Sequence, residues 1–412
     1  MRKFLPPILC LCILFVCLPL YPQANSIPLL QKQMVLVGKL PFTNELSVRY
    51  VSKFELEQLV NEMVNQDYPD ELAERENLFI RLIGFVKKPV DLKALRKKVL
   101  RESAGGLYNH KTKELLVLRD LGEINMISAL VVVHELRRAI QDQFVDSKNL
   151  SGTMGCVDDR SLALSAALEG DATFAMVKYS RKFSSIPLAV ELLNSYNSDA
   201  LMSFSPLSNS TVLHQSTGFV KHFLMMPYIE GLNYVGKLYK KKKWKAVNGA
   251  LAEIPASSEQ ILHLEKYLKK EPPARVLIHY KPEGYKLFHS GVLGEYFTNI
   301  LVMTEERYRD HAVGWGGDAF ELHRKGESYF LMLKSQWDSE KFASYFFFVL
   351  KGFIENTFKT HLKTANIGQT GFLAGKSPDG YFFLTKQHDK ILYVRSNDRV
   401  QINKFISGGL YD

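Results

Sequence analysis

The stretch VVVHELRRAIQDQ, residues 131–143, places a histidine and a glutamate side by side in a run flanked by apolar residues. A second stretch, ALEGDA at residues 167–172, places Glu169 among small and apolar residues. The two stretches predict helices over about 124–145 and 158–180. A carboxylate on so crowded a helix is costly to bury alone, so Glu169 requires a neighbouring cation.

His134 and Glu135 match the first half of the motif His-Glu-x-x-His. On a helix, that motif puts two imidazoles one turn apart on one face, with the glutamate between them. Both imidazoles hold zinc, a third ligand comes from another element, and the glutamate takes a proton from the metal-bound water. Position 138 holds an arginine instead. Its guanidinium has no lone pair to donate and would repel the metal ion, so the motif is broken at the second ligand.

Together with three further segments, these stretches resemble a group of bacterial gluzincin-like zinc metallopeptidase homologues. The further segments are GLY at 106–108, SEQILHLEKY at 258–267 and GWGGD at 314–318. The resemblance covers roughly residues 45 to 350. It implies a zincin-like core in which the helices of His134 and Glu169 pack side by side and the two residues face each other.

The resemblance also implies a role for each motif residue. His134 corresponds to the first zinc ligand, Glu169 to the third ligand and Glu135 to the general base. Asp142 and Asp171 correspond to residues that lie just outside the ligands. The implied cofactor is therefore zinc, which is expected to be absent or weakly bound because the second ligand is missing.

A working metal site would need a replacement for the ligand that Arg138 displaces. The sequence offers His110, His263 and Asp142, and His263 is also a further catalytic candidate, although a structural histidine is the more common case. Cys156 lies in a glycine-containing connector with no base beside it, so it is predicted to be an inert thiol.

Arg138 itself has two interpretations. It lies three residues after Glu135 and four before Asp142, spacings that allow a surface ladder of ion pairs on the helix. Alternatively, its guanidinium replaces zinc as the cation that neutralises Glu169. The second interpretation is favoured because the predicted burial of Glu169 requires such a cation.

Composition limits the class of protein. The 412 residues are 46% apolar and 23% charged, which is typical of a folded globular protein. The formal charge of +10 is scattered along the chain, which argues against a nucleic-acid partner. Three of the four cysteines lie in the first apolar stretch, so disulfide bonds within a chain that lacks this stretch are excluded.

The first apolar stretch has the three parts of a secretory signal peptide. A basic leader at 1–3 precedes the apolar residues 4–20, and a polar segment with Ala24 follows. Residues 1–24 are therefore expected to be removed, leaving an exported protein, periplasmic, outer-envelope or secreted, with no stable membrane span. An uncleaved anchor and a lipoprotein attached through Cys17 are the alternatives.

The remaining pattern predicts an α+β fold with a mainly helical core, an N-terminal hairpin and a small C-terminal β-α-β layer. A connector is expected at 25–45, a zincin-like domain at 46–305 and an α/β region packed on it at 306–412. Ser52 and Glu55 have the spacing of a capping box at the start of a helix.

The predicted function is that of an exported, catalytically inactive pseudo-peptidase. Two alternatives stay open: an active zinc metallohydrolase with a replacement second ligand, and a non-catalytic peptide-binding or structural envelope protein. The expected partner is a peptide or a protein. The sequence leaves the substrate and the oligomeric state open.

Overall fold

A computed structural model describes residues 26–102, 106–119, 124–145, 155–183, 218–303, 310–367 and 370–408. The expected signal peptide, with its three cysteines, lies outside the described residues. Within them the chain is mixed α+β, with twelve helices and ten strands. None of these helices combines the length and the apolar character that a bilayer span requires.

The helices are named here in chain order. They are α1 (Ile27–Gly38), α2 (Lys53–Asp67), α3 (Asp70–Ile83), α4 (Leu92–Glu102), α5 (Met126–Phe144), α6 (Asp159–Phe183), α7 (Phe219–Gly249), α8 (Ser258–Leu262), α9 (Leu264–Lys269), α10 (Gly294–Val302), α11 (Glu340–Phe358) and α12 (Arg399–Ser407). The predicted capping box is present at the start of α2, where Ser52 Oγ accepts a hydrogen bond from the backbone of Glu55 at 3.2 Å. The Glu55 carboxylate accepts one from the Ser52 backbone in return, at 2.7 Å.

The strands form two sheets. They are β1 (Ser47–Val51), β2 (Gly106–Asn109), β3 (Glu114–Leu118), β4 (Lys286–Gly291), β5 (Trp315–Lys325), β6 (Ser328–Trp337), β7 (Lys363–Ile367), β8 (Thr370–Ser377), β9 (Gly380–Gln387) and β10 (Lys390–Ser396). In the small sheet, β3 lies between β1, to which it is parallel, and β2, to which it is antiparallel. The predicted hairpin is therefore confirmed as β2 and β3, and the hairpin packs on α5.

The larger sheet has seven strands in the order β4-β5-β6-β10-β9-β8-β7, and every neighbouring pair is antiparallel. It is larger than the β-α-β layer that the sequence predicts, and its first strand, β4, already lies before the expected boundary at 305. Two of the additional strands, β4 and β7, are short, polar edge strands without an alternating apolar pattern, so the sequence gives little indication of them.

The expected connector at 25–45 contains a helix. Ser26 caps α1 by accepting a hydrogen bond from the Leu29 backbone at 3.4 Å. Ile27, Leu30 and Met34 are buried on one face of this helix, which packs against α5 and α6. The helical spacing of these apolar residues is present in the sequence, so the connector was a wrong interpretation of an amphipathic segment.

α6 makes its closest approach to α7. A Cβ added to Gly170 would lie 2.1 Å from the backbone of Gly231, and one added to Gly231 would lie 2.1 Å from the Ala166 carbonyl oxygen. Both positions therefore require glycine. The expected close neighbour of α6 is α5, but Gly170 of the ALEGDA stretch contacts α7 instead. This contact brings α7 close to Glu169, the residue before Gly170.

Candidate functional site

The motif histidine and the motif glutamate meet between α5 and α6. His134 Nε2 lies 3.0 Å from Glu169 Oε2, and the side chains are 2% and 18% exposed. His134 Nδ1 is buried and has no hydrogen-bond partner among the described residues. The juxtaposition expected from the resemblance is therefore present, and the nitrogen of His134 that faces Glu169 is engaged by its carboxylate.

Arg138 lies on the same carboxylate. Its Nε is 3.5 Å from Glu169 Oε1, and its side chain is 29% exposed. Its Nη1 donates a hydrogen bond to Gln141 Oε1 at 3.0 Å. The carboxylate of Glu169 thus lies between an imidazole and a guanidinium, as expected if Arg138 replaces the metal as the neutralising cation.

This environment keeps Glu169 ionised. Burial raises the pKa of the carboxyl, but the charge of Arg138 and the hydrogen bonds from His134 and Tyr228 outweigh it and lower the pKa to about 2. Tyr228 reaches the site from α7, one turn before Gly231. At neutral pH Glu169 is therefore a charged carboxylate, stabilised by the charge of Arg138 and by hydrogen bonds from His134 and Tyr228.

Glu135, the expected general base, is hydrogen-bonded to the hairpin. It is buried, and its Oε2 accepts a hydrogen bond from the backbone N–H of Tyr108 on β2 at 2.8 Å. Burial raises the pKa of this carboxyl. Glu135 therefore attaches the hairpin to α5.

Asp142 fixes the same hairpin two turns further along α5. Its Oδ2 accepts a hydrogen bond from the Tyr108 hydroxyl at 2.7 Å and one from Lys113 Nζ at 2.6 Å. Both donors belong to the hairpin. Asp142 is thus committed to two donors and is poorly placed to serve as a replacement ligand.

Asp171 supports the site indirectly. It forms a bidentate pair with the fully buried Arg137, with distances of 2.8 and 3.0 Å. It also accepts a hydrogen bond from Gln141 Nε2 at 2.8 Å. Because Gln141 Oε1 accepts from Arg138, this amide connects the buried pair to the cation at Glu169.

The other two proposed ligands, His110 and His263, have acidic partners of their own. His110 is on the hairpin turn, and its Nε2 is 3.8 Å from Asp67 Oδ2. His263, between α8 and α9, contacts Glu295 of α10, with 2.8 Å between Nε2 and Oε1. Neither is among the contacts of Glu169. The structure therefore brings His134, Glu169 and Arg138 into direct contact. Glu135 is close enough to interact with all three through its charge, and His110 and Asp142 line the cavity beside Glu169, whereas His263 contacts Glu295.

His263 and Glu295 form a second buried pair. Glu295 is fully buried, and burial raises the pKa of its carboxyl to about 7. The hydrogen bond to Glu295 raises the pKa of His263. Acidic groups that act on the pair include Glu259, Glu265 and Asp310, and within the described residues the second oxygen of Glu295 has no hydrogen-bond partner.

A cavity of about 460 Å³ opens beside Arg138 and Glu169. Its wall includes a set of apolar side chains from α4, α6 and α7, namely Val99, Leu100, Leu162, Leu164, Leu168, Phe223, Leu224 and Pro227. Cys156 also lines it, but burial raises the pKa of this thiol to about 12, so it is a neutral group and not a nucleophile. The volume and the lining are those of a site for a small ligand.

The residues at the broken motif do not fit zinc. A zinc site requires three or four donors with lone pairs, and the described contacts provide only His134 and Glu169, with a guanidinium beside them. Across the described parts of the chain, no three His, Cys, Asp or Glu side chains are grouped so that they could hold a metal ion.

Sequence reasoning missed three contributors to this site. Gln141 lies within the first motif, but its bridging role depends on Asp171 of another helix. Tyr228 and the cavity residue Arg96 lie in helices without a recognisable motif. Only their position in the folded chain indicates their role.

Comparison of the chain with family models, with curated proteins and with solved structures finds no match. The relation to gluzincin-like peptidases therefore stays a prediction that rests on the sequence motifs.

Proposed function

We propose that this protein is a pseudo-peptidase, a non-catalytic ligand-binding protein whose cavity adjoins a degenerate zinc motif. The observation that carries the proposal is the double engagement of Glu169, with His134 at 3.0 Å and Arg138 at 3.5 Å. A fixed guanidinium supplies the charge compensation that a metal ion would otherwise supply, and it adds no site for an activated water.

The position of Glu135 supports the same proposal. Its carboxylate accepts a hydrogen bond from a backbone N–H of the hairpin, and it does not line the cavity. A general base must reach the proton that it abstracts. The described role of Glu135 is therefore structural: it is buried and its hydrogen bond holds β2 against α5.

The cavity supports a binding role. It combines an apolar wall with a few polar groups at one end, Arg138, Glu169 and Tyr228 among them. Sites of this composition bury most of a small ligand and orient it through a few polar contacts. A peptide side chain or another small amphipathic group is the size of ligand that such a cavity accepts.

An active metallohydrolase is the second candidate function. It is favoured by one observation, that His110 and Asp142 line the same cavity as Glu169. However, Asp142 already accepts hydrogen bonds from Tyr108 and Lys113. The pseudo-peptidase is therefore the better supported of the two.

Zinc titration by calorimetry tests the proposal. We expect no stoichiometric zinc binding by the unaltered chain, because Arg138 has no lone pair. Arg138→His restores His-Glu-x-x-His with Glu169 in place and is expected to bind zinc at micromolar concentration or below, with release of protons.

Two controls give this titration its meaning. Arg138→Gln removes the cation without adding an imidazole and is expected to bind no zinc, and Arg138→His combined with Glu169→Gln is expected to lose most of the gained affinity. Stoichiometric zinc on the unaltered chain that Glu169→Gln abolishes would overturn the proposal in favour of a metallohydrolase.

A further inference from the structure

Each carboxylate that lines the cavity already has a cationic partner. Asp67 pairs with Lys111 at 2.7 Å and Asp142 pairs with Lys113 at 2.6 Å. Glu169 pairs with Arg138 at 3.5 Å. The acidic side of the cavity is therefore fully compensated by residues of the chain.

Arg96 is the cation that remains. It lies on α4 and lines the cavity, and no carboxylate of the described chain forms an ion pair with it. Its polar neighbour is Cys156, whose side chain forms a hydrogen bond with it and is a neutral thiol at physiological pH. Among the described residues, the cavity wall therefore carries one positive charge, that of Arg96, without an ion-pair partner.

Apolar residues line the cavity near Arg96 in the sequence of α4. Val99 and Leu100 follow Arg96 on α4, and Leu224 of α7 lines the same cavity. A ligand with an anionic end and an apolar body would satisfy both features at once. A cationic ligand would leave Arg96 without a partner in a partly enclosed site.

We propose that the cavity binds a small amphipathic carboxylate, with its carboxylate on Arg96 and its aliphatic body against the apolar wall. This proposal rests on the ligand-binding role proposed above and adds the chemical class of the ligand. Arginine suits it because its planar guanidinium binds a carboxylate with two parallel hydrogen bonds. A fatty acid and the carboxyl end of a short apolar peptide share this chemistry.

The test uses two carboxylates and a matched neutral ligand. Laurate and N-acetyl-Leu-Leu are titrated against the full chain by calorimetry, together with N-acetyl-Leu-Leu amide, which differs from the dipeptide only at the carboxyl end. We expect at least one of the acids to bind, and the dipeptide amide to bind at least about 10-fold more weakly than the dipeptide acid if the peptide is the source. Binding of laurate alone would identify a fatty acid as the source.

Three variants assign the result to the cavity. Arg96→Gln is expected to weaken the bound acid at least about 10-fold. Lys98→Gln removes an exposed charge from the same helix and is expected to leave the affinity unchanged. Leu224→Trp fills the cavity and is expected to abolish binding of acid and amide alike. Circular dichroism and thermal unfolding show whether each variant is folded.

The two proposals fail in different ways. Equal binding of acid and amide, or equal affinity of the Arg96→Gln and Lys98→Gln variants for the acid, would overturn the carboxylate contact while ligand binding stands. Absence of binding by every probe to the folded chain, or binding that Leu224→Trp leaves unchanged, would overturn the assignment of the cavity as the ligand site itself.

Discussion

Among the histidine–glutamate pairs in the described parts of this molecule, two contain a glutamate whose pKa burial raises, yet the net shifts of the two carboxyls are opposite. His134 and Glu169 are 3.0 Å apart, and His263 and Glu295 are 2.8 Å apart. The pKa of Glu169 is lowered to about 2, whereas that of Glu295 is raised to about 7. The histidine therefore does not decide the charge of its partner.

The two carboxyls differ in the charged groups that lie near them besides the histidine. Burial raises the pKa of both carboxyls, but Glu169 also faces the permanent charge of Arg138 and the Tyr228 hydroxyl. The other charges near Glu295 are those of Glu259 and Asp310, which favour its protonated form. Glu169 thus stays charged because an arginine lies beside it.

The largest effect of pH on stability is expected at the pair of His263 and Glu295, which has no arginine partner among the described ion pairs. The pKa of Glu295 rises from 4.5 to about 7 on folding, so the folded chain holds this proton more tightly than the unfolded chain. Its contribution to stability is present below about pH 4.5 and is lost as the pH rises through about 7, an effect of up to about 3 kcal/mol. The raised pKa of His263 acts in the same direction.

Glu295→Gln removes this titration. Urea unfolding between pH 4.5 and pH 7.5 should show a smaller loss of stability in the variant than in the unaltered chain. Glu265→Gln, at an exposed carboxylate 3.9 Å from His263, is the matched control. Parallel pH profiles of the Glu295→Gln variant and the unaltered chain would contradict the assignment.

A smaller effect is expected when the other pair loses its cation. Arg138→Met leaves Glu169 charged and without its guanidinium, which we expect to lower the free energy of unfolding at pH 7 by about 2 kcal/mol, since the pair is only partly buried. Combined with Glu169→Gln, the same change should cost less than 1 kcal/mol, because no charge is then stranded. Equal costs in both backgrounds would mean that Arg138 acts as a surface residue.

Part of this arrangement could be read from the sequence. The motif residues predict that His134 and Glu169 meet, and the need to compensate a buried carboxylate predicts the contact with Arg138. The capping box at Ser52 predicts the start of α2. These features are local, or they follow from one motif whose chemistry requires a definite geometry.

The remaining features depend on tertiary contacts that no spacing encodes. Gln141 of α5 can contact both Arg138 and Asp171 only because α5 packs beside α6, which carries Asp171. Tyr228 reaches Glu169 because Gly170 and Gly231 allow α7 to cross close to α6. The edge strands β4 and β7 are polar and have no alternating apolar pattern. They form because their backbones hydrogen-bond to the neighbouring strands β5 and β8.

The pKa of the Glu169 carboxyl tests most directly whether Arg138 holds the place of a metal. Carbon-13 NMR of glutamate-labelled protein, with Glu169→Gln to assign the signal, follows this carboxyl as the pH is lowered. We expect a pKa near 2 in the unaltered chain and a clearly higher pKa in Arg138→Met, because burial persists when the cation is lost. A carboxyl that titrates at its ordinary value in both proteins would contradict the account.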